Sequence, residues 1–337
     1  MGGDEGVSRR DRIGHPLNRD PKPAVTEELL EQLRETLLEG MQRLKIPGVA
    51  IGLLERGHEH VICEGITSIT NPLPVTPETL FQIGSTTKTM TSTIIMRLLE
   101  MGKLELESSV RRYLPELKLE DESVAARLTV RQLLNHTGGW VGDLFTDTGD
   151  GDDALAKYVQ LVAGQAQITP LGEVWHYNNS AFGIAGRLIE VITGQTYERA
   201  ARGLLLEPLG MTHSNFFPYE AMLERFAVGH FLDESDRLQI SKPWAFARAI
   251  GPIGRLNSSV LDQLKYARFH LEGNASVLSD ANRLEMQRAT VKGQLGDEFG
   301  LSWWINDATG ERIVSHGGAT NGQMSAFWFV PDRKSVV

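Results

Sequence analysis

Phe81-Gln82-Ile83-Gly84-Ser85-Thr86-Thr87-Lys88 is the stretch from which this chain is best read. An apolar approach meets a glycine and then a serine, and a lysine follows three residues after the serine. Behind it, residues 89–100 carry apolar side chains at helical spacing, and Gly102 stops them, which predicts a buried helix. Ser85 then falls at the helix N-terminus, where free N–H groups and the positive end of the dipole favour a developing negative charge. On a helix, i and i+3 share a face, so Lys88 is expected beside the Ser85 hydroxyl. A serine is a poor nucleophile until a neighbouring base takes its proton, and a lysine in a dry pocket can be that base or tune it. Taken alone, the pair is weak evidence, because an N-cap serine with a solvated lysine looks the same.

Two later stretches add to it. Trp175-His176-Tyr177-Asn178-Asn179-Ser180 places a phenol and an amide on one short loop just before a predicted helix. A phenol near a lysine ammonium loses its proton more easily, which makes Tyr177 a candidate general base toward Ser85. Asn179 is a candidate to hold Lys88 and a substrate carbonyl. The plainer reading is a half-buried aromatic and a helix cap. His316-Gly317-Gly318-Ala319 ends an apolar strand, and two glycines there let another backbone come close. The N–H groups of Ser85 and Ala319 are then candidates for an oxyanion hole. Alone, this stretch reads as a bulge or turn.

In this order and at these separations, the three stretches resemble the serine β-lactamase and penicillin-binding-protein superfamily, whose pattern is Ser-x-x-Lys, Ser-Asp-Asn and Lys-Thr-Gly. Tyr-x-Asn in second place resembles the class C branch. His-Gly-Gly in third place resembles that branch's esterases and its D-aminopeptidase-like or carboxypeptidase-like peptidases. The resemblance runs from about residue 26 to the end. Leu133-Leu134-Asn135-His136-Thr137-Gly138-Gly139, Pro208-Leu209-Gly210-Met211-Thr212 and Gly317-Gly318-Ala319-Thr320-Asn321-Gly322 support it. It implies a two-step acyl transfer without metal or cofactor. Ser85 attacks, Tyr177 coupled to Lys88 moves the proton, and Asn179, His316, Gly318 and Ala319 hold the substrate and its oxyanion. Two departures stand out. His316 occupies the place where the lactamases carry lysine. The chain also ends where the family continues into a strand and a C-terminal helix, so it reads as truncated or as carrying an unusual tail.

The rest of the chain supplies the frame. Its 337 residues suit one large domain or two intimately packed ones, with 41% hydrophobic and 23% charged residues. A formal net charge of −9 argues against nucleic acid and gives no support for an anionic membrane surface. The single Cys63 excludes an internal disulfide and a cysteine zinc site, and reads as a small strand residue. No apolar run is long enough to span a membrane, and residues 1–25 read as a polar tail without a signal-peptide core. As written, the protein is expected to be cytoplasmic; a form that had lost a leader would read the same.

An amphipathic helix is expected over 26–44, with Thr26 as cap and Leu29, Leu30, Leu33, Leu37 and Leu38 as its stripe. A hairpin of strands 49–55 and 60–66 follows, turning at Arg56-Gly57. Helices are expected over 128–134, 153–163, 180–193, 197–206, 258–271 and 279–289, and strands over 299–306, 312–316, 323–330 and from 335 on. The expected fold class is α+β: one antiparallel sheet built from both chain ends, flanked by helices, with a mainly helical region inserted. The expected division is one catalytic domain over 26–337. Its α/β lobe comprises 26–84 and 258–337, and its helical lobe 85–257.

Three further features have plain readings. His58 and His60 share a strand face but show no third ligand, so a solvated hairpin tip is expected. The acids of 147–153 lack calcium-loop spacing and read as a solvated turn. His136 is expected to hydrogen-bond its own turn. The unfinished strand at 335–337 is expected either to continue in a longer natural form or to associate with another chain through its edge. The partner is a small-molecule or peptide substrate, and the leading function a serine hydrolase of peptides, amides or esters. The alternatives are a β-lactamase or DD-carboxypeptidase and a catalytically silent scaffold of the same fold.

Overall fold

A computed structural model describes residues 25–307, 310–333 and 335–336; the expectations for residues 1–24, Lys334 and Val337 lie outside the described residues. The chain opens with α1 (Glu27–Leu44), capped by the Thr26 hydroxyl, which accepts from Leu29 N–H. Leu29 and Leu38 of the expected stripe stand exposed, at 51% and 45%, while Leu30, Leu33 and Leu37 of that stripe are half-buried and Met41 joins them as a buried residue. The i, i+3, i+7, i+11 set is the narrower seam, and Leu29 and Leu38 flank it on the solvent side. The hairpin follows as β1 (Gly48–Glu55) and β2 (His58–Gly65), with Arg56 and Gly57 both at positive φ in the turn.

Strand β3 (Phe81–Gln82) runs into a 3-10 turn, Gly84–Thr86, and then into α2 (Thr87–Glu100). Ser85 thus sits in the turn before the α-helix. Nearly all of α2 is buried, so its polar residues find internal partners: Thr91 meets the Tyr197 hydroxyl at 2.7 Å and Thr93 the Tyr266 hydroxyl at 2.9 Å. The helical region continues with α3 (Glu122–Arg127), α4 (Val130–Leu134), α5 (Ala154–Val162), α6 (Asn179–Thr193) and α7 (Tyr197–Ala201). Beyond α7 the backbone widens to a π turn, Arg202–Leu206, where a continuing helix was expected. Short strands then appear that no alternation announced: β4 (Ser214–Asn215), β5 (His230–Leu232) and β6 (Leu238–Ile240), with α8 (Pro218–Ala221) between. After α9 (Gly251–Gly254), β7 (Asn257–Ser258) lies between β3 and β4 in a small sheet. This small sheet delivers the chain to Gly84.

The C-terminal part packs α10 (Val260–Glu272) and α11 (Asp280–Met286) before β8 (Val291–Lys292) and β9 (Glu298–Phe299). Then come β10 (Trp304–Asn306), β11 (Ile313–Ala319), β12 (Met324–Val330) and β13 (Ser335–Val336). The single strand expected over 299–306 is two strands, because Gly300 N–H bonds Trp303 O at 2.8 Å and Ser302 takes φ 62, closing a tight hairpin.

The main sheet is antiparallel, in the order β2-β1-β13-β12-β11-β10-β9-β8, with its strands drawn from both ends of the chain. The α+β class with a mainly helical insertion is therefore what the molecule adopts. One expectation is corrected. Ser335–Val336 is not a sheet edge but an inner strand, paired with Leu54–Glu55 on one side and Phe329–Val330 on the other. Beyond those pairs, β1 and β12 diverge around a groove of about 640 Å³ whose lining includes Ile51, Val260, Leu264, Ala326 and Trp328. Among the described residues no helix is long and apolar enough to cross a membrane, and no His/Cys/Asp/Glu group could hold a metal ion. The 147–153 acids are used locally: Asp147 caps Gly149 N–H, Asp152 pairs with Arg248, and Asp153 with Lys157.

Candidate active site

The site forms where the turn after β3 meets β11. Ser325 on β12 donates to Ile83 O at 2.7 Å and meets the Thr86 hydroxyl at 2.8 Å, which locks the turn to the sheet. Two glycines permit the approach. Gly84 adopts φ 51, and a Cβ there would lie 2.6 Å from Ala319 N. A Cβ on Gly318 would lie 1.9 Å from Ile83 O and 2.8 Å from Ser85 N. Any side chain at either position would force the seam open. The backbone of Ser85 and that of Ala319 are thereby brought against each other. Thr86 N–H is taken by Ile83 O, whereas Ser85 N–H opens the turn, where backbone donors have no acceptor on their own element.

Lys88 is fully buried, and its Nζ lies 2.8 Å from Ser85 Oγ and 2.9 Å from Ile253 O. Burial pushes its pKa well below the ordinary 10.5, and the Asp143 carboxylate pulls less strongly the other way. A neutral amine can donate to Ile253 O and still offer its lone pair to the Ser85 hydroxyl. Tyr177 stacks its ring 5.0 Å from Lys88 Nζ. Part of the residue faces the cleft, but protein surrounds the hydroxyl. The expectation that this phenol ionises easily is corrected here. Burial raises its pKa, and the hydrogen bond with Ser85 offsets only part of that.

His316 is buried, with Nδ1 2.6 Å from Gly317 O, which makes Nδ1 the donor and Nε2 the free acceptor. Nε2 has no partner among the described residues. Burial first, and Lys88 second, push its pKa down to about 3, so the ring is neutral near pH 7. Among the described residues Asn179 makes no hydrogen bond to Lys88; its Nδ2 donates to Asp143 Oδ1 at 2.6 Å. The cap of α6 is Asn178, whose Oδ1 accepts from Ala181 N–H at 2.8 Å.

Other participants were not legible as such. His136 does not bond its own turn: its Nδ1 accepts Asn178 N–H at 3.0 Å, and its ring lies 4.4 Å from that of Tyr177. It holds the second loop in place, with Trp175 and Phe299 closing the aromatic wall. The phrase around His136 marked the place but not the contact. Ile253 contributes a carbonyl, which leaves no trace in residue type. Asp143 sits in a stretch without periodicity.

The profile of the family described as Beta-lactamase matches residues 33–337. The chain is 34% identical over 298 residues to penicillin-binding protein 4 of Amycolatopsis lactamdurans, covering 85% of this chain and 78% of that protein. It is 24% identical over 313 residues to protein flp of Staphylococcus aureus strain N315, covering 92% of this chain and 62% of that protein. Among solved structures, the octameric penicillin-binding protein homologue from Pyrococcus abyssi superposes with a TM-score of 0.82 at 27% identity, over 91% of this chain and 72% of that one. A class C β-lactamase superposes with a TM-score of 0.79 at 21% identity, over 94% and 93% of the two chains, a likeness of fold. The chain belongs to the β-lactamase and penicillin-binding-protein family of serine hydrolases.

Proposed function

We propose that the protein hydrolyses a neutral ester, amide or peptide through an acyl-enzyme on Ser85. The contact that carries this reading is the fully buried Lys88, whose Nζ lies 2.8 Å from the Oγ of half-buried Ser85. Neutral Lys88 accepts the Ser85 proton as the oxygen bonds to the substrate carbonyl carbon. The oxyanion lies against the N–H groups of Ser85 and Ala319. Collapse breaks the bond to the leaving group, which takes its proton from the Lys88 ammonium through the Tyr177 hydroxyl. Water then attacks the ester on Ser85, giving a proton to Lys88; collapse breaks the bond between Ser85 Oγ and the acyl carbon, the Lys88 ammonium returns the proton to Ser85 Oγ at 2.8 Å, and the acid is released. A phenol held neutral by burial suits this relay better than it suits a resting base. Asn179 and the β11 edge orient the acyl group.

Neutral His316 supports the choice of substrate. A lysine there would present a permanent charge to a carboxylate, whereas this imidazole offers one buried acceptor. The second reading, acylation by penicillins or cell-wall-type peptides, is favoured by the 34% identity to a protein named as penicillin-binding. Association into a homo-oligomer is part of the proposal only by analogy with the archaeal octamer.

The test is covalent labelling with a fluorophosphonate, mapped by mass spectrometry, followed by hydrolysis of a p-nitrophenyl ester, D- and L-amino acid anilides and nitrocefin. Label on Ser85 that disappears in Ser85→Ala, with the ester or anilides ahead of nitrocefin, is expected. Label that persists in Ser85→Ala overturns the nucleophile. Nitrocefin turnover with kcat above about 10 per second moves the assignment to the lactams.

A further inference from the structure

One carboxylate stands at the mouth of this site with no cation to meet it. Asp143 Oδ1 accepts from Asn179 Nδ2 at 2.6 Å, and among the described residues no lysine, arginine or histidine forms an ion pair with Asp143. The residue is exposed, yet its backbone is strapped on both sides. Ser180 N–H donates to Gly142 O at 2.9 Å, Asn178 Nδ2 to Trp140 O at 2.9 Å, and the Tyr158 hydroxyl to Leu144 O at 2.8 Å. The carboxylate is therefore fixed on the Tyr177–Asn179 side of the cleft, opposite β11. Its field reaches Lys88, Tyr177 and Tyr158, each of which senses its charge.

We propose that Asp143 selects substrates whose acyl part carries a free amino group close to the reacting carbonyl, such as the amides and esters of unblocked amino acids or peptides with a free N-terminus. The proposal rests on the acyl-transfer reading of Ser85. An α-ammonium lies two bonds from the carbon that Ser85 attacks, so the carboxylate that meets it must stand beside the seam. One Asp143 oxygen is engaged by Asn179, and the other remains to accept from the ammonium. A charge-assisted hydrogen bond of this kind is stronger than a neutral one. With His316 neutral and Lys88 fully buried behind Ser85, the exposed Asp143 carboxylate supplies a formal charge for recognition.

The test compares alanine p-nitroanilide with N-acetylalanine p-nitroanilide, both enantiomers, at pH 7, where an α-amino group with a pKa of about 7.7–8.0 is mostly charged. The free-amine substrate is expected to lead in kcat/KM by about tenfold to a hundredfold. In Asp143→Asn, whose amide oxygen can still accept from Asn179, the ratio should fall to about one, mainly through KM for the free amine. Asp143→Glu should keep most of the preference. The wild type provides a check that needs no variant: raising ionic strength from about 0.01 M to 1 M, where the screening length falls from about 30 Å to 3 Å, should shrink the ratio. A wild type that prefers the blocked substrate, or a ratio unmoved in Asp143→Asn and by salt, overturns the proposal. Equal losses on both substrates in Asp143→Asn would also overturn it, because they mark a purely structural role. Failure of fluorophosphonate to label Ser85 in the wild type is the separate outcome that removes the underlying reading.

Discussion

The two faces of β12 behave differently. On the inner face, Ser325 fastens the Ser85 turn, while Phe327 and Phe329 pack against Tyr266, His270 and Trp303. On the outer face, Met324 is 84% exposed and Trp328 53% exposed. Alternation along one strand thus separates a face on which each group has several partners from one on which apolar side chains meet few. The catalytic seam is built wholly against the inner face. Damage on that face should cost activity, and damage on the outer face should not.

The largest effect is expected at the reactive groups themselves. Lys88→Ala and Tyr177→Phe should each lower kcat/KM by about a hundredfold to ten-thousandfold, with melting temperatures near the wild-type value for Tyr177→Phe. The double variant should be little worse than either single one, since both groups move one proton. Fully additive losses would assign them independent roles. The pH profile should agree: activity rises with pH as Lys88 loses its proton, and because burial lowers that pKa, the rise should lie well below pH 10.5.

Next comes the seam. Gly318→Ala would set a Cβ 1.9 Å from Ile83 O, so either β11 or the Ser85 turn must move. A loss of about 1–3 kcal/mol in urea unfolding is expected together with at least a tenfold drop in rate, about what a misplaced nucleophile costs. Unchanged kinetics would mean that the turn is held by other contacts.

A smaller, pH-dependent effect should come from His316. Its pKa is about 3 in the folded protein and about 6.5 unfolded, so the unfolded chain binds more protons in that window. Its contribution is fully present above pH 6.5 and is lost as pH falls toward 3. Between pH 7 and pH 5 it should account for about 1–2 kcal/mol of lost stability. His136 and His270, also pushed down by burial, add in the same direction. His316→Gln should flatten the dependence measured by urea unfolding at the two pH values; an unchanged slope would mean that His316 is solvated.

The smallest effect belongs to the outer face. Trp328→Ser should change stability by no more than about 0.5 kcal/mol and leave the rate within about twofold. A large loss of rate would show that the two faces are coupled through β12.

The features that could be read locally were those whose cause is local. The spacing of Ser85, Gly84 and Lys88, the apolar run after them and the glycine pair before Ala319 all sit within a few residues. Backbone geometry converts such spacings directly into shared faces and close approaches. The hairpin at Arg56-Gly57 and the Thr26 cap are of the same kind. Everything that depended on residues far apart needed the tertiary structure. The protonation tendencies of Lys88, Tyr177 and His316 follow from burial, and no residue type announces how much water its neighbours will exclude. Asp143 meets Asn179 across 36 residues, and Ile253 meets Lys88 across 165, through a loop and a carbonyl that carry no periodic signal. The place of β13 inside the sheet was likewise invisible, because strand order is a matter of pairing between distant segments, and two residues of alternation cannot state which neighbours they will find.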